Sequence, residues 1–78
     1  MEILDLSKME DLITISLKGL VKLKVLNLSA AKVANISNLN ECKSLENLDL
    51  LNTQLNSNSK KLVKRFQQEH QACKILGL

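Results

Sequence analysis

Aromatic side chains are nearly missing from this 78-residue chain, which has no Trp, no Tyr and a single Phe, Phe66. At 45% hydrophobic and 24% charged residues it has the make-up of a globular domain, so its core must be aliphatic. The same scarcity removes the ring faces on which nucleobases stack. Glycine occurs only at Gly19 and Gly77, too sparsely for a phosphate-cradling loop. No run approaches the roughly 18 apolar residues of a membrane span, and no basic segment followed by an apolar stretch opens the chain. The expectation is a chain that neither crosses a membrane nor carries a secretory signal. There is one histidine, His70, shortly before Cys73. A His/Cys pair can bind a metal or act as base and nucleophile, but no third ligand lies nearby, and no C-x-x-C occurs. No catalytic, cofactor or metal site is therefore expected, and the protein is read as not an enzyme.

What the chain has in excess is leucine, and the leucines recur. Leu23-Lys24-Val25-Leu26-Asn27-Leu28 returns as Leu45-Glu46-Asn47-Leu48-Asp49-Leu50, a step of 22 along the chain. Met1-Glu2-Ile3-Leu4-Asp5-Leu6 precedes them by the same step, with Met in the first place. Leu17, Leu20 and Leu23 return as Leu39, Cys42 and Leu45, and Val33 returns as Leu55. Cys73-Lys74-Ile75-Leu76-Gly77-Leu78 forms a fourth copy, offset by 28. A fixed period of 20–29 with the spacing L-x-x-L-x-L is the signature of units that bury their apolar edges only by stacking on one another. Cys42 and Cys73 both fall on apolar positions of this pattern. They read as small buried hydrophobes rather than a disulfide, which sets a reducing, cytoplasmic location as the expectation.

With these four copies the chain resembles the leucine-rich repeat family, in particular its short 22-residue type. The resemblance implies an α/β solenoid with about four short parallel strands on a concave face. Short helical or 3₁₀ turns and one C-terminal helix would form the convex side. The units are then 1–22, 23–44 and 45–72, with a closing strand at 73–78. Two departures stand out. The family's turn Asn, which follows the third Leu, is replaced by Met9, Ala31 and Thr53, so the backbone there must find other partners. Leu12 and Ile15 also sit one place late relative to Val33 and Ile36, before Leu17 restores the register.

Residues 56–72 break the pattern. Asn56-Ser57-Asn58-Ser59 is a polar turn in which Asn58 or Ser59 can cap a helix. Leu62, Val63 and Phe66 fall on one helical face, with Ala72 or Cys73 beyond. Lys60, Lys61, Lys64, Arg65, Gln67, Gln68 and Glu69 occupy the other. Residues 60–78 thus hold five basic groups against one acidic, while the rest of the chain holds six against seven. The formal +3 belongs to this segment. It reads as the solvated face of an amphipathic helix, not a nucleic-acid site.

Alternation along the strands points the leucines inward and their neighbours outward. Aligning the four copies gives three outward columns: Glu2, Lys24, Glu46, Lys74; Ile3, Val25, Asn47, Ile75; and Asp5, Asn27, Asp49, Gly77. The β-branched residues of the second column and the acidic and amide residues of the third form a candidate interaction stripe. Ile3, Asp5, Val25, Asn27, Asn47, Asp49 and Ile75 are the expected partner-binding residues. Asp5 and Asp49 lie about 9–10 Å apart by strand spacing, but an exposed sheet offers no pocket to raise either pKa. The terminal strands lack visible polar caps, so the readings are a small protein that dimerises through an end, a piece of a longer array, or a monomer whose ends are covered by local loops. The sequence therefore reads as a protein–protein interaction module, with homo-oligomerisation among its uses. The alternative is a regulatory adaptor that contacts nucleic acid or another anionic partner through the basic helix.

Overall fold

The structure is a computed structural model and describes residues 3–77; Met1, Glu2 and Leu78 of the terminal copies lie outside the described residues. Six short strands and one helix follow in the order β1 (Ile3–Asp5), β2 (Thr14–Ser16), β3 (Val25–Asn27), β4 (Asn35–Ser37), β5 (Asn47–Asp49), α1 (Ser57–Glu69) and β6 (Lys74–Leu76). A 3₁₀ turn, Leu39–Glu41, follows β4. The strands fall into two parallel sheets, one ordered β1-β3-β5-β6 and the other β2-β4. The result is a small mixed α/β fold of parallel strands and one helix.

The register follows the leucines. Leu4 pairs with Leu26, and Leu26 with Leu48, so the first three strands of the larger sheet keep the step of the sequence repeat. Leu26, Leu28, Leu48 and Leu50 are buried in the core, together with Leu17, Leu23, Leu39, Leu45, Val33 and Cys42. Burying each leucine stabilises the fold by about 1.5–3 kcal/mol. The other sheet has a step one shorter: Thr14 pairs with Asn35 and Ile15 with Ile36, which accounts for the late apolar residues of the first unit. Asn38, in the left-handed region at φ 62°, takes up the extra residue before Leu39.

On the return side, where the resemblance implies short helical turns, the first two units instead pass through β2 and β4. Among the described residues only Leu39–Glu41 is helical before α1. Thr14, Ile15, Ile36 and the adjoining polar residues suit a pleated surface with one buried position, as the exposed–buried–exposed pattern of both strands records. Next to Met9 and Ala31, where the resemblance implies a turn asparagine, main-chain bonds join the neighbouring segments. Lys8 N–H donates to the Ser29 carbonyl at 2.9 Å and Ala30 N–H to the Leu51 carbonyl at 2.8 Å. Ala31 fills its place fully buried, and the Thr53 hydroxyl donates to the Leu50 carbonyl at 2.8 Å.

The helix begins earlier than its sequence signal suggests. Asn56 is its N-cap, accepting from Ser59 N–H at 2.9 Å through Oδ1, while Ser59 is buried inside the first turn. Val63 and Phe66 are buried and Leu62 is half-buried, whereas Ala72 is exposed. The closing strand is offset by 27, not 28: Leu48 pairs with Ile75 and Asp49 with Leu76. Cys73 and Ile75 therefore share the inward face by simple alternation. Leu76 is exposed and Lys74 lies beside Asn47. Gly77 then lies against the Leu50–Leu51 backbone, where an added Cβ would come within 2.6 Å of main-chain atoms at a φ of +83°. No side chain other than hydrogen fits there.

Candidate interaction surface

On the outer face of the four-stranded sheet the observed register replaces two of the expected columns. One runs Ile3, Val25, Asn47, Lys74 and the next Asp5, Asn27, Asp49, Leu76. Ile75, expected outward, is half-buried and packs against the core. Ile3 and Leu76 are exposed, Val25 is half-buried and Asn47 exposed. The apolar stripe is therefore reduced to Ile3 and Val25 on neighbouring strands, with Leu76 apart from them on β6 beyond Asn47 and Asp49.

The acidic and amide column has a structural task. Asp5 Oδ1 accepts from Ser7 N–H at 2.9 Å, Asn27 Oδ1 from Ser29 N–H at 3.0 Å, and Asp49 Oδ1 from Leu51 N–H at 3.0 Å. Each is an Asx turn, in which the side chain stands in for a backbone acceptor two places on. Lys8, Ala30 and Asn52 follow in the left-handed region at φ 63°, 60° and 62°, again at the spacing of the repeat. Asp, Asn and Asp thus turn the corner out of each strand. The Ser7 main-chain N–H, helped by its hydroxyl, holds the exposed Asp5 carboxyl below the usual carboxylate range. That direction is opposite to the one a general acid needs.

The outer surface of the β2-β4 pair carries a second polar ladder. Asn35 Nδ2 donates to Thr14 Oγ1 at 3.4 Å and Asn38 Nδ2 to Ser16 Oγ at 3.1 Å. Asn56 Nδ2 donates to Asn35 Oδ1, so the helix cap is also the third step of Thr14-Asn35-Asn56. Behind this ladder Ser59 Oγ accepts from Ile36 N–H at 3.0 Å, ending the free edge of β4 inside the helix contact. No periodicity argument singles out Ser59 for this role, because hydroxyl burial depends on a backbone donor supplied from another unit.

His70 and Cys73 face different surroundings. The His70 ring stacks on Phe66 with centroids 4.2 Å apart and Nδ1 3.3 Å from the Phe66 carbonyl oxygen. Cys42 and Cys73 are both buried free thiols. Burial pushes both pKa values up, with the Glu41 charge adding to the effect at Cys42, so the reactive thiolates are disfavoured. The described residues contain no group of three or more His, Cys, Asp or Glu side chains placed to hold a metal, and no helix long and apolar enough to cross a membrane. On the helix Lys60, Lys61, Lys64 and Arg65 are exposed, and Asn58, Lys61, Leu62 and Arg65 edge an open depression.

The sequence columns also miss several exposed apolar side chains of the first unit. Met9, Ile13 and Val21 are each about half exposed, and with Ile3 they supply four of the six large exposed apolar side chains among the described residues. Their signal is available as a contrast: Met9 and Val21 stand where the next unit has Ala31 and Lys43. No protein-family model, no curated protein and no solved structure matches the chain.

Proposed function

We propose that this chain is a short leucine-rich repeat solenoid that works as a protein–protein interaction module, without catalysis or a cofactor. The support for the repeat reading is the common step shared by strands, Asx turns and left-handed corners. The single observation that carries the interaction reading is the outer sheet face, where exposed Ile3 lies beside half-buried Val25. Apolar side chains left outward beside a polar rim suit a protein surface as partner. Strands about 4.8 Å apart make this face only a few hundred Å², below the roughly 800 Å² each partner contributes to a stable complex. The contact is accordingly short-lived. Two buried free thiols fit a reducing compartment such as the cytoplasm.

The test is to capture a protein partner on the immobilised chain and then titrate that partner against defined variants. Ile3→Ser with Val25→Ser should weaken binding at least about tenfold while leaving the melting temperature nearly unchanged. Lys60→Gln, Lys61→Gln and Lys64→Gln together should leave it intact. A complex that ignores the sheet variant, is lost with the lysine variant and falls steeply with salt would favour an anionic partner on the helix instead.

A further inference from the structure

The charges of α1 are set against the helix that carries them. Lys60 and Lys61 sit at the close of its first turn, Lys64 and Arg65 come next, and its only acid, Glu69, is the last residue. The first turn has no acidic residue and the last turn no basic one. A helix is partly positive at its start and partly negative at its end, so this order is unfavourable at both. Lys60 and Lys64 stand four apart, as do Lys61 and Arg65, so two like-charged pairs lie where opposite charges would support the helix. By the helical repeat these four cations share the arc opposite buried Val63 and Phe66, and all four are exposed.

Nothing in the fold offsets this arrangement. None of the four cations forms an ion pair among the described residues. Glu41, on the 3₁₀ turn beside the helix, accepts from Gly19 N–H at 3.1 Å instead. Nor is the arc a stacking surface for another unit, since that would bury four unpaired charges. A face kept for solubility alone mixes both signs. Departures from the local rules that bring no stability mark a surface held for a partner.

We propose that this face docks an acidic segment of a partner protein, its carboxylates lying between the rows Lys60–Lys64 and Lys61–Arg65. The surface is separate from the outer sheet face, and each reading stands or falls alone. Charge complementarity selects the partner: such a segment removes the repulsion within each row and meets the positive end of the helix. Cations four apart on a helix are about 5–6 Å from one another. Alternate side chains of an extended chain repeat at about 6.5–7 Å, so successive outward carboxylates match the rows. Arg65 can take one of them in a bidentate pair, with the lysines as point charges. Nucleic acid and membrane fit less well. The one aromatic residue, Phe66, is buried and stacks no base. The arc holds no large apolar side chain to enter a bilayer. From Lys60 to Arg65 it is only about 7–8 Å long, too short to follow the phosphates of a duplex.

The test is the binding of a fluorescent oligoglutamate peptide to the full chain, followed by anisotropy at low salt. Lys60→Gln, Lys61→Gln and Lys64→Gln together should raise the dissociation constant at least about tenfold. Lys18→Gln, Lys22→Gln and Lys43→Gln remove the same charge from exposed positions elsewhere and should leave it within about twofold. Lys60→Glu alone should weaken the peptide and yet raise the melting temperature by about 2–4 °C, because it relieves the row and suits the start of the helix. No binding at low salt, or equal losses from the two triple variants, overturns the proposal. A melting temperature that fails to rise removes its premise, that these charges are held at a cost. Tighter binding of a short DNA duplex or of phosphatidylserine vesicles than of the peptide overturns it in favour of those partners. None of these results touches the sheet-face reading, which is judged on Ile3→Ser with Val25→Ser.

Discussion

The two edges of the β2-β4 sheet meet their surroundings in opposite ways. Beyond β4 the helix closes over the edge: Ser59 takes the Ile36 N–H, and Val63 and Phe66 are buried with the core. Beyond β2 no described strand or helix follows, and although Ile15 and Leu17 are buried, Leu4, Leu6, Leu12 and Leu20 of that unit remain partly in water. Leu4 and Leu26 are the same residue type in the same strand position, yet one is half-buried and the other fully buried. Burial here belongs to the neighbour, not to the residue. A unit of this kind is as stable as the surface stacked on it.

The sharpest way to break the comparison is to truncate both leucines. Leu26→Ala should cost about 2–5 kcal/mol, most of the stability of a domain this size, whereas Leu4→Ala should cost about 1–2 kcal/mol. Denaturant midpoints of the two variants measure this directly, and equal losses would mean that the first unit is as well covered as the second. The closed edge is tested next by Ser59→Ala. Leaving the buried Ile36 N–H without its acceptor should cost about 1–3 kcal/mol and speed the hydrogen exchange of that amide. Ser57→Ala, in the same turn but exposed, should be within about 0.5 kcal/mol of the parent.

A smaller effect compares the corners. Ala30 holds the left-handed conformation without the tolerance that Asn52 has at the equivalent place. Ala30→Gly should therefore raise stability by a few tenths to about 1 kcal/mol, and Asn52→Gly should change little. The smallest effect is in the Asp5 corner. Its carboxyl is held below the ordinary value of 3.8, so what it adds to stability is present above that pH and disappears as pH falls through the lowered value. Following the Asp5 carboxyl by NMR titration should give a midpoint below 3.8. Asp5→Asn should keep the turn, as Asn27 does, and remove that pH dependence.

Much of the architecture was legible because burial and repetition coincide. The step from Leu26 to Leu48, the four parallel strands and the amphipathic helix all follow from positions where only an apolar residue works. Ile15 and Ile36 were visible as a slipped pair, but single buried residues in such short strands cannot distinguish a strand from a tight helical turn. The Ile75 register failed for a related reason. Cys-Lys-Ile-Leu offers apolar residues to both faces, and the deciding feature, the approach of Gly77 to the Leu50 backbone, is a three-dimensional contact. Asp5, Asn27 and Asp49 were visible as a column, yet Asx residues serve local backbone as readily as a partner. Met9 and Val21 contrast visibly with Ala31 and Lys43 one unit on, but that Met9, Ile13 and Val21 stay about half exposed depends on the packing around each of them.

Every parallel pairing joins a strand to the next one of its own sheet, and that regular spacing bears on how the chain comes into being. No strand has to wait for a partner from a distant part of the sequence, so each loop closed during folding has nearly the same entropic cost. A chain emerging from the ribosome can add strand to strand in the order of synthesis. The first unit gains its cover only when residues 25–36 have appeared, and α1 arrives in time to close the newest edge. Growth can therefore run in one direction, from β1 toward β6, each strand laid on the one made before it.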